Sequence, residues 1–129
     1  MPVASSIACL IVDDQQTMRS LVRSGLMQLG FTTFQDAGDG EDGLRQLLVK
    51  PYQLVISDFN MPKLDGLGLL RAVRSHPPIA KTCFIMLTGR ADKDLVQRAV
   101  QFGVNNYLVK PFTVATLKAK IEEVFGALS

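Results

Sequence analysis

The strongest constraint on this chain is a regular change of period. Short, continuous apolar runs alternate five times with stretches whose apolar residues recur at helical spacing. SIACLIV (6–12), FTTFQDA (31–37), QLVIS (53–57), CFIMLT (83–88) and NYLV (106–109) read as strands. Between them, Met18, Leu21, Val22, Gly25, Leu26 and Leu29 share a helical face that stops at Gly30. Leu44, Leu47 and Leu48 mark a second helix over 40–50, ended by Pro51. Leu67, Leu70 and Val73 mark a third, closed by His76-Pro77-Pro78. Leu95, Val96, Ala99, Val100 and Phe102 mark a fourth, stopped by Gly103. Val114, Leu117, Ile121, Val124, Phe125 and Leu128 line the last. Strands without internal alternation are covered on both faces, so five β-α units in series predict an α/β protein with a parallel sheet between two helical layers.

With 129 residues the chain is long enough for one domain with a full core. All connections are short, so residues 1–129 are read as a single domain with no second, output domain. The net charge of +2 is too small to argue for nucleic acid. No apolar run reaches membrane-spanning length, and the N-terminus lacks the basic start of a secretory signal, so the expected location is cytoplasmic. Cys9 and Cys83 sit inside apolar runs and read as two buried thiols rather than a disulfide. His76 stands alone, with no metal-type Cys/His spacing. Residues 1–62 carry four Lys/Arg against seven Asp/Glu, and residues 63–129 carry ten against five.

The polar residues fall at the ends of the strands. Asp13-Asp14 end the first, Asp58 the third, Thr88 the fourth and Lys110 the fifth. A parallel sheet gathers its carboxyl ends on one rim, and open α/β sheets bind ligands at that rim. Three neighbouring carboxylates repel unless a cation intervenes. For oxygen-only ligands the natural cation is Mg²⁺, held by one or two carboxylates plus phosphate oxygens. One acid is then left as a nucleophile that can form an aspartyl-phosphate. Asp58, on the strand placed centrally, is assigned the attack, and Asp13 and Asp14 the metal and its waters. Lys110, Thr88 and backbone N–H groups are placed to stabilise the phosphoryl oxygens. Taken singly, each residue has a plainer reading: Asp14 as a helix cap, Asp58 and Thr88 as turn residues, Lys110 as a solvated charge.

LIVDD, VISDFNMPKLDG, IMLTGRA and NYLVKPF occur in this order along the chain. With these four elements the chain resembles, over nearly its whole length, the receiver domains of two-component response regulators. The DFNMP-type loop and the single-domain length resemble the stand-alone chemotaxis members most. The resemblance implies a flavodoxin-like (βα)5 three-layer sandwich with strand order 2-1-3-4-5. It implies Asp58 as phosphoacceptor, with Asp13, Asp14, Asp58 and the backbone carbonyl of Asn60 around Mg²⁺. It implies Thr88 and Lys110 as phosphoryl partners and Tyr107 as an aromatic switch. It implies a Lys110-Pro111 bond that is usually cis, Asn60 and Arg90 as residues that tune phosphoryl lifetime, and Gly66 as the residue that lets the loop after Asp58 close. Arg90 departs from the acid of the chemotaxis type, Gln15 stands where an aromatic is common, and Gly89 fills a small-residue position often held by Ala.

The function so implied is a signalling module. A histidine kinase is the phosphodonor, and the face formed by the fourth helix, fifth strand and fifth helix controls a partner. That partner is a flagellar motor switch protein or another target, with a phosphatase as a further partner. Alternatives within the class are a phosphate sink and control of a non-motility partner. An alternative of another class is a phosphatase with an aspartyl-phosphate intermediate. Such an enzyme would want a general acid two residues beyond Asp58, where this chain has Asn60. The domain is therefore read as modifying itself and hydrolysing slowly, not as a turnover enzyme. A third alternative, a flavin binder, meets three repelling acids and no Ser/Thr-rich phosphate loop after the first strand.

Overall fold

A computed structural model describes residues 3–89 and 93–129. Its elements are β1 (Ala8–Val12), α1 (Gln16–Gln28), β2 (Thr33–Ala37), α2 (Gly40–Val49), β3 (Leu54–Asp58), α3 (Gly66–Ser75), β4 (Cys83–Thr88), α4 (Lys93–Gln101), β5 (Asn106–Val109) and α5 (Val114–Phe125). The five strands form one sheet in the order β2-β1-β3-β4-β5, and every pairing is parallel. This is the flavodoxin-like order that the resemblance implies.

The two-residue period of each strand sorts its side chains onto two cores. Cys9, Ile11, Leu54, Ile56, Ile85 and Leu87 face Val22 and Leu26 of α1 and Leu117 and Ile121 of α5. Leu10, Val12, Val55, Phe84 and Met86 face Leu47 of α2, Leu69, Leu70 and Val73 of α3, and Ala99 of α4. β3 is buried throughout, as its unbroken apolar run requires, while edge strand β2 alternates exposed and covered residues. Exposure on one face of the edge explains the polar Thr33 and Gln35 there.

The starts of α2, α3 and α5 are set by side-chain caps. Asp39 accepts the Asp42 N–H at 2.8 Å, and Asp65 accepts the Gly68 N–H at 2.8 Å. Thr113 and Thr116 form a reciprocal capping box before α5. Several element ends differ from the sequence reading, with β2 starting at Thr33 and β3 running Leu54–Asp58, and two of the shifts have a local cause. Residues 4–6 form a 3-10 turn, with the Ser6 hydroxyl donating to the Val3 carbonyl, so β1 starts at Ala8 rather than Ser6. α5 stops at Phe125 because Gly126 takes φ +84°. Leu128 then lies outside the helix, its N–H bonded to the Glu122 carboxylate at 2.9 Å, and still packs on the first core. Both cysteines are free thiols, Cys9 buried and Cys83 only partly so. Among the described residues, no helix is long and apolar enough to cross a membrane.

Candidate functional site

The carboxyl end of β1 is held on three sides at Asp13. Its N–H donates to the Ala37 carbonyl at 3.1 Å, which continues the β1–β2 ladder. Its own carbonyl accepts from Arg19 Nη1 at 2.6 Å. Its Oδ1 accepts the Gln15 N–H at 2.9 Å. Oδ2 is buried and has no hydrogen-bond partner. Asp14, next in the chain, is exposed. The residue before α1 is Gln15, which makes no side-chain cap, so Asp14 does not occupy the capping position.

Asp58 is the last residue of β3 and only 6% exposed. Lys110 follows β5 and sets its Nζ 2.8 Å from Asp58 Oδ1. One carboxylate oxygen from each of Asp13, Asp14 and Asp58 lies within 4.8 Å of the others. Burial pushes the Asp13 carboxyl up to about 6; the Gln15 N–H opposes this, Asp58 adds to it, Lys110 opposes and Asp14 adds. A small, hard dication fits this donor set. The donors are all oxygen, their charges repel, and one buried carboxylate oxygen lacks any partner.

A cleft of about 540 Å³ opens over these groups, and Asp14, Asp58, Asn60, Thr88, Gly89 and Lys110 are among its walls. Thr88 ends β4, and its buried Oγ1 has no partner. The Lys110 N–H donates to the Thr88 carbonyl at 2.7 Å, tying the tips of β4 and β5 together. The Lys110-Pro111 peptide is cis. Gly66 explains how the loop after Asp58 comes close. Its N–H donates to the Phe59 carbonyl at 2.8 Å, and a Cβ there would lie 2.5 Å from the Asp58 carbonyl oxygen and 2.7 Å from Met86 Sδ.

The structure thus brings Asp13, Asp14, Asp58, Asn60, Thr88 and Lys110 to one rim. It does not bring Tyr107 there. Tyr107 is half-buried on β5 opposite Met86, with Lys120 Nζ 4.9 Å from its ring centre. It lines a separate cleft of about 310 Å³ with Lys93, Val96 and Gln97 of α4. Arg90, assigned to phosphoryl lifetime, lies outside the described residues. Sequence reasoning missed Arg19 and Asp36. Arg19 Nε donates to Asp36 Oδ2 at 3.2 Å while Nη1 holds the Asp13 carbonyl. No local motif signals this contact, because Asp36 meets Arg19 only once β1 and β2 pair.

Comparison with known proteins agrees with this geometry. The family model of the response regulator receiver domain matches residues 9–122. The chain is 56% identical over 128 residues to the probable chemotaxis protein CheY of Rhizobium etli, covering 99% of each. Among solved structures, chemotaxis protein CheY4 of Vibrio cholerae superposes with a TM-score of 0.86 at 30% identity, covering 92% of this chain and 98% of that one. The receiver domain of sensor histidine kinase PA1611 from Pseudomonas aeruginosa, solved with magnesium coordinated in its active-site cleft, gives a TM-score of 0.84 at 26% identity, over 94% of this chain and 98% of that one. By its match, its sheet order and its rim of acids, this chain belongs to the response regulator receiver domains, as a CheY-like chemotaxis member.

Proposed function

We propose that this domain takes a phosphoryl group from a phosphohistidine of a histidine kinase onto Asp58 and signals through the face of α4, β5 and α5. The observation that carries the reading is the Lys110–Asp58 pair at 2.8 Å, set beside two further carboxylates in a cleft that also holds an unpartnered threonine hydroxyl. A carboxylate oxygen of Asp58 attacks phosphorus. The P–N bond to the histidine breaks as the O–P bond forms, and the imidazole keeps the electron pair of the broken bond. Asp13, Asp14, Asp58 and the Asn60 carbonyl would hold Mg²⁺. When bound, the ion supplies positive charge against the carboxylates and the phosphoryl oxygens. Lys110 Nζ moves its contact from the carboxylate to a phosphoryl oxygen, and Thr88 Oγ1 donates to another.

The acyl phosphate carries about −1.5 to −2 charge, by analogy with other phosphoresidues, where the free carboxylate carried a single negative charge, and its phosphoryl oxygens draw Thr88 inward. Tyr107 then repacks against α4, whose Val96 and Gln97 already border the same cleft. The two arrangements are populations of one molecule, and phosphorylation biases them. The target read from the chemotaxis resemblance is a flagellar motor switch protein. With Asn60 two residues past Asp58 no general acid is supplied there, so hydrolysis is slow and the output is information rather than product.

The test is treatment of the full chain with acetyl phosphate and Mg²⁺, read by intact mass, and with beryllofluoride, read by NMR. One phosphoryl group is gained by the wild type and none by Asp58→Asn. Beryllofluoride shifts the resonances of Thr88, Tyr107 and α4 in the wild type alone. Wild type without phosphoryl gain overturns the reading, and rapid hydrolysis of p-nitrophenyl phosphate favours the phosphatase instead.

A further inference from the structure

Asp13 is fixed by contacts that belong to no carboxylate cluster as such. Its carbonyl is gripped by Arg19 Nη1 at 2.6 Å. The same guanidinium is anchored through Nε on Asp36 Oδ2 at 3.2 Å. Asp36 Oδ2 is also 3.2 Å from Arg23 Nη2, and the Arg23 guanidinium lies 5.5 Å from the Phe34 ring centre. The Asp36 carbonyl in turn accepts from Gln46 Nε2 of α2 at 3.1 Å. Asp36 faces Ile11 across the β1–β2 ladder, two residues before Asp13. A chain of contacts therefore runs from edge strand β2 through Arg19 to the backbone of Asp13. With Oδ1 occupied by the Gln15 N–H, one oxygen of the side chain stays unpartnered beside Asp14 and Asp58.

We propose that Arg19, anchored on Asp36, is a positioning residue for the divalent cation: by holding the Asp13 carbonyl it sets the Asp13 carboxylate in place before the metal arrives. The inference rests on the Mg²⁺ reading of the acid cluster. Arg19 acts through backbone and not through its charge, and the two roles have opposite signs. A cation near a metal site repels the metal, so removal of the charge alone would tighten Mg²⁺ binding. Removal of a positioning contact loosens it, because partners behind the ligands set their orientation. Lysine keeps the charge but lacks the planar fork that reaches Asp36 and the Asp13 carbonyl together.

The experiment is Mg²⁺ titration of the full chain by calorimetry at fixed pH, on wild type, Arg19→Met, Arg19→Lys and Asp36→Asn, with folding checked by amide NMR spectra. Both Arg19 variants are expected to raise the Mg²⁺ dissociation constant about 10-fold. Asp36→Asn is expected to raise it in the same direction. Thermal unfolding with and without Mg²⁺ supplies the second readout: the stabilisation that Mg²⁺ adds shrinks in the variants. A dissociation constant that is unchanged or lower in folded Arg19→Met overturns the inference. So does a melting temperature lowered equally with and without Mg²⁺, which marks a structural role only. If Arg19→Met does not fold, Arg19→Lys and Asp36→Asn decide by the same criteria. A wild type that binds no Mg²⁺ overturns this inference together with the metal reading, whereas a wild type that binds it beside unaffected variants overturns this inference alone.

Discussion

Asp13 is under opposed demands. Burial resists its charge, yet a dication needs it ionised. Its carboxyl, raised from 3.8 to about 6, keeps a proton in the folded state at pH values where the unfolded chain has lost it. Between these two values the native state binds more protons, so this group's contribution to stability is full below about 3.8 and is lost as pH rises through about 6. Without metal, Asp13→Asn is expected to raise the melting temperature at pH 7 and to flatten its fall across pH 4 to 6, measured by thermal unfolding in a chelator. The same substitution is expected to weaken Mg²⁺ binding by about 10-fold or more. In the wild type Mg²⁺ binding should weaken as pH falls through about 6, since proton and metal compete for the carboxylate. The residue types of this site were legible in the sequence, because acids, a hydroxyl and an amine at strand ends stand out against apolar runs. The unequal roles of Asp13 and Asp14 were not. They depend on which carboxylate turns under the β1–α1 loop, one buried and one exposed.

At the scale of elements, the turn from β3 to α3 is the tightest part of the site. Leu64 lies against Gly40 at the start of α2, and Gly66 lies against the backbone of Asp58 and Phe59. Lys63, at φ 69°, turns the chain just before both and places its Nζ 3.7 Å from Asp39 Oδ2. Gly66→Ala would force a methyl to 2.5 Å from the Asp58 carbonyl oxygen, a backbone atom that cannot swing aside. The expected loss is about 1–3 kcal/mol, seen in urea unfolding, with slower phosphorylation by acetyl phosphate as Asp58 shifts. An unchanged unfolding midpoint would show that the turn yields freely. The element types were readable from period alone, since an unbroken apolar run and a 3.6-residue repeat are different signals. The boundaries were less so. The first strand yields two residues to a local turn, and the last helix ends where Gly126 leaves helical φ.

At the scale of the molecule, a parallel sheet with helices on both faces makes one edge different from the other. All carboxyl ends meet there, so residues separated by nearly a hundred positions, Asp13 and Lys110, share one pocket rim with Asp58. The rigidity of that rim comes from the two cores beneath it. Phe84, fully buried in the core shared by α2, α3 and α4, holds β4 under Thr88. Phe84→Ala is expected to cost about 3–5 kcal/mol in denaturant unfolding, a large share of the roughly 5–15 kcal/mol that stabilises a domain. A loss below about 1 kcal/mol would mean that the core collapses around the gap and the rim does not depend on it.

Alone, the sequence determined the alternation of strand and helix, the parallel sheet and the set of polar residues at its tips, because period and strand ends are local properties of the chain. Tertiary structure alone decided which of the acids is buried, that Lys110 pairs with Asp58, that Tyr107 lies with α4 and not at the acids, and that Arg19 reaches back to Asp13 from an anchor on β2. Each of these depends on the packing of separate elements against one another, and that packing exists only once strands pair and helices close over them.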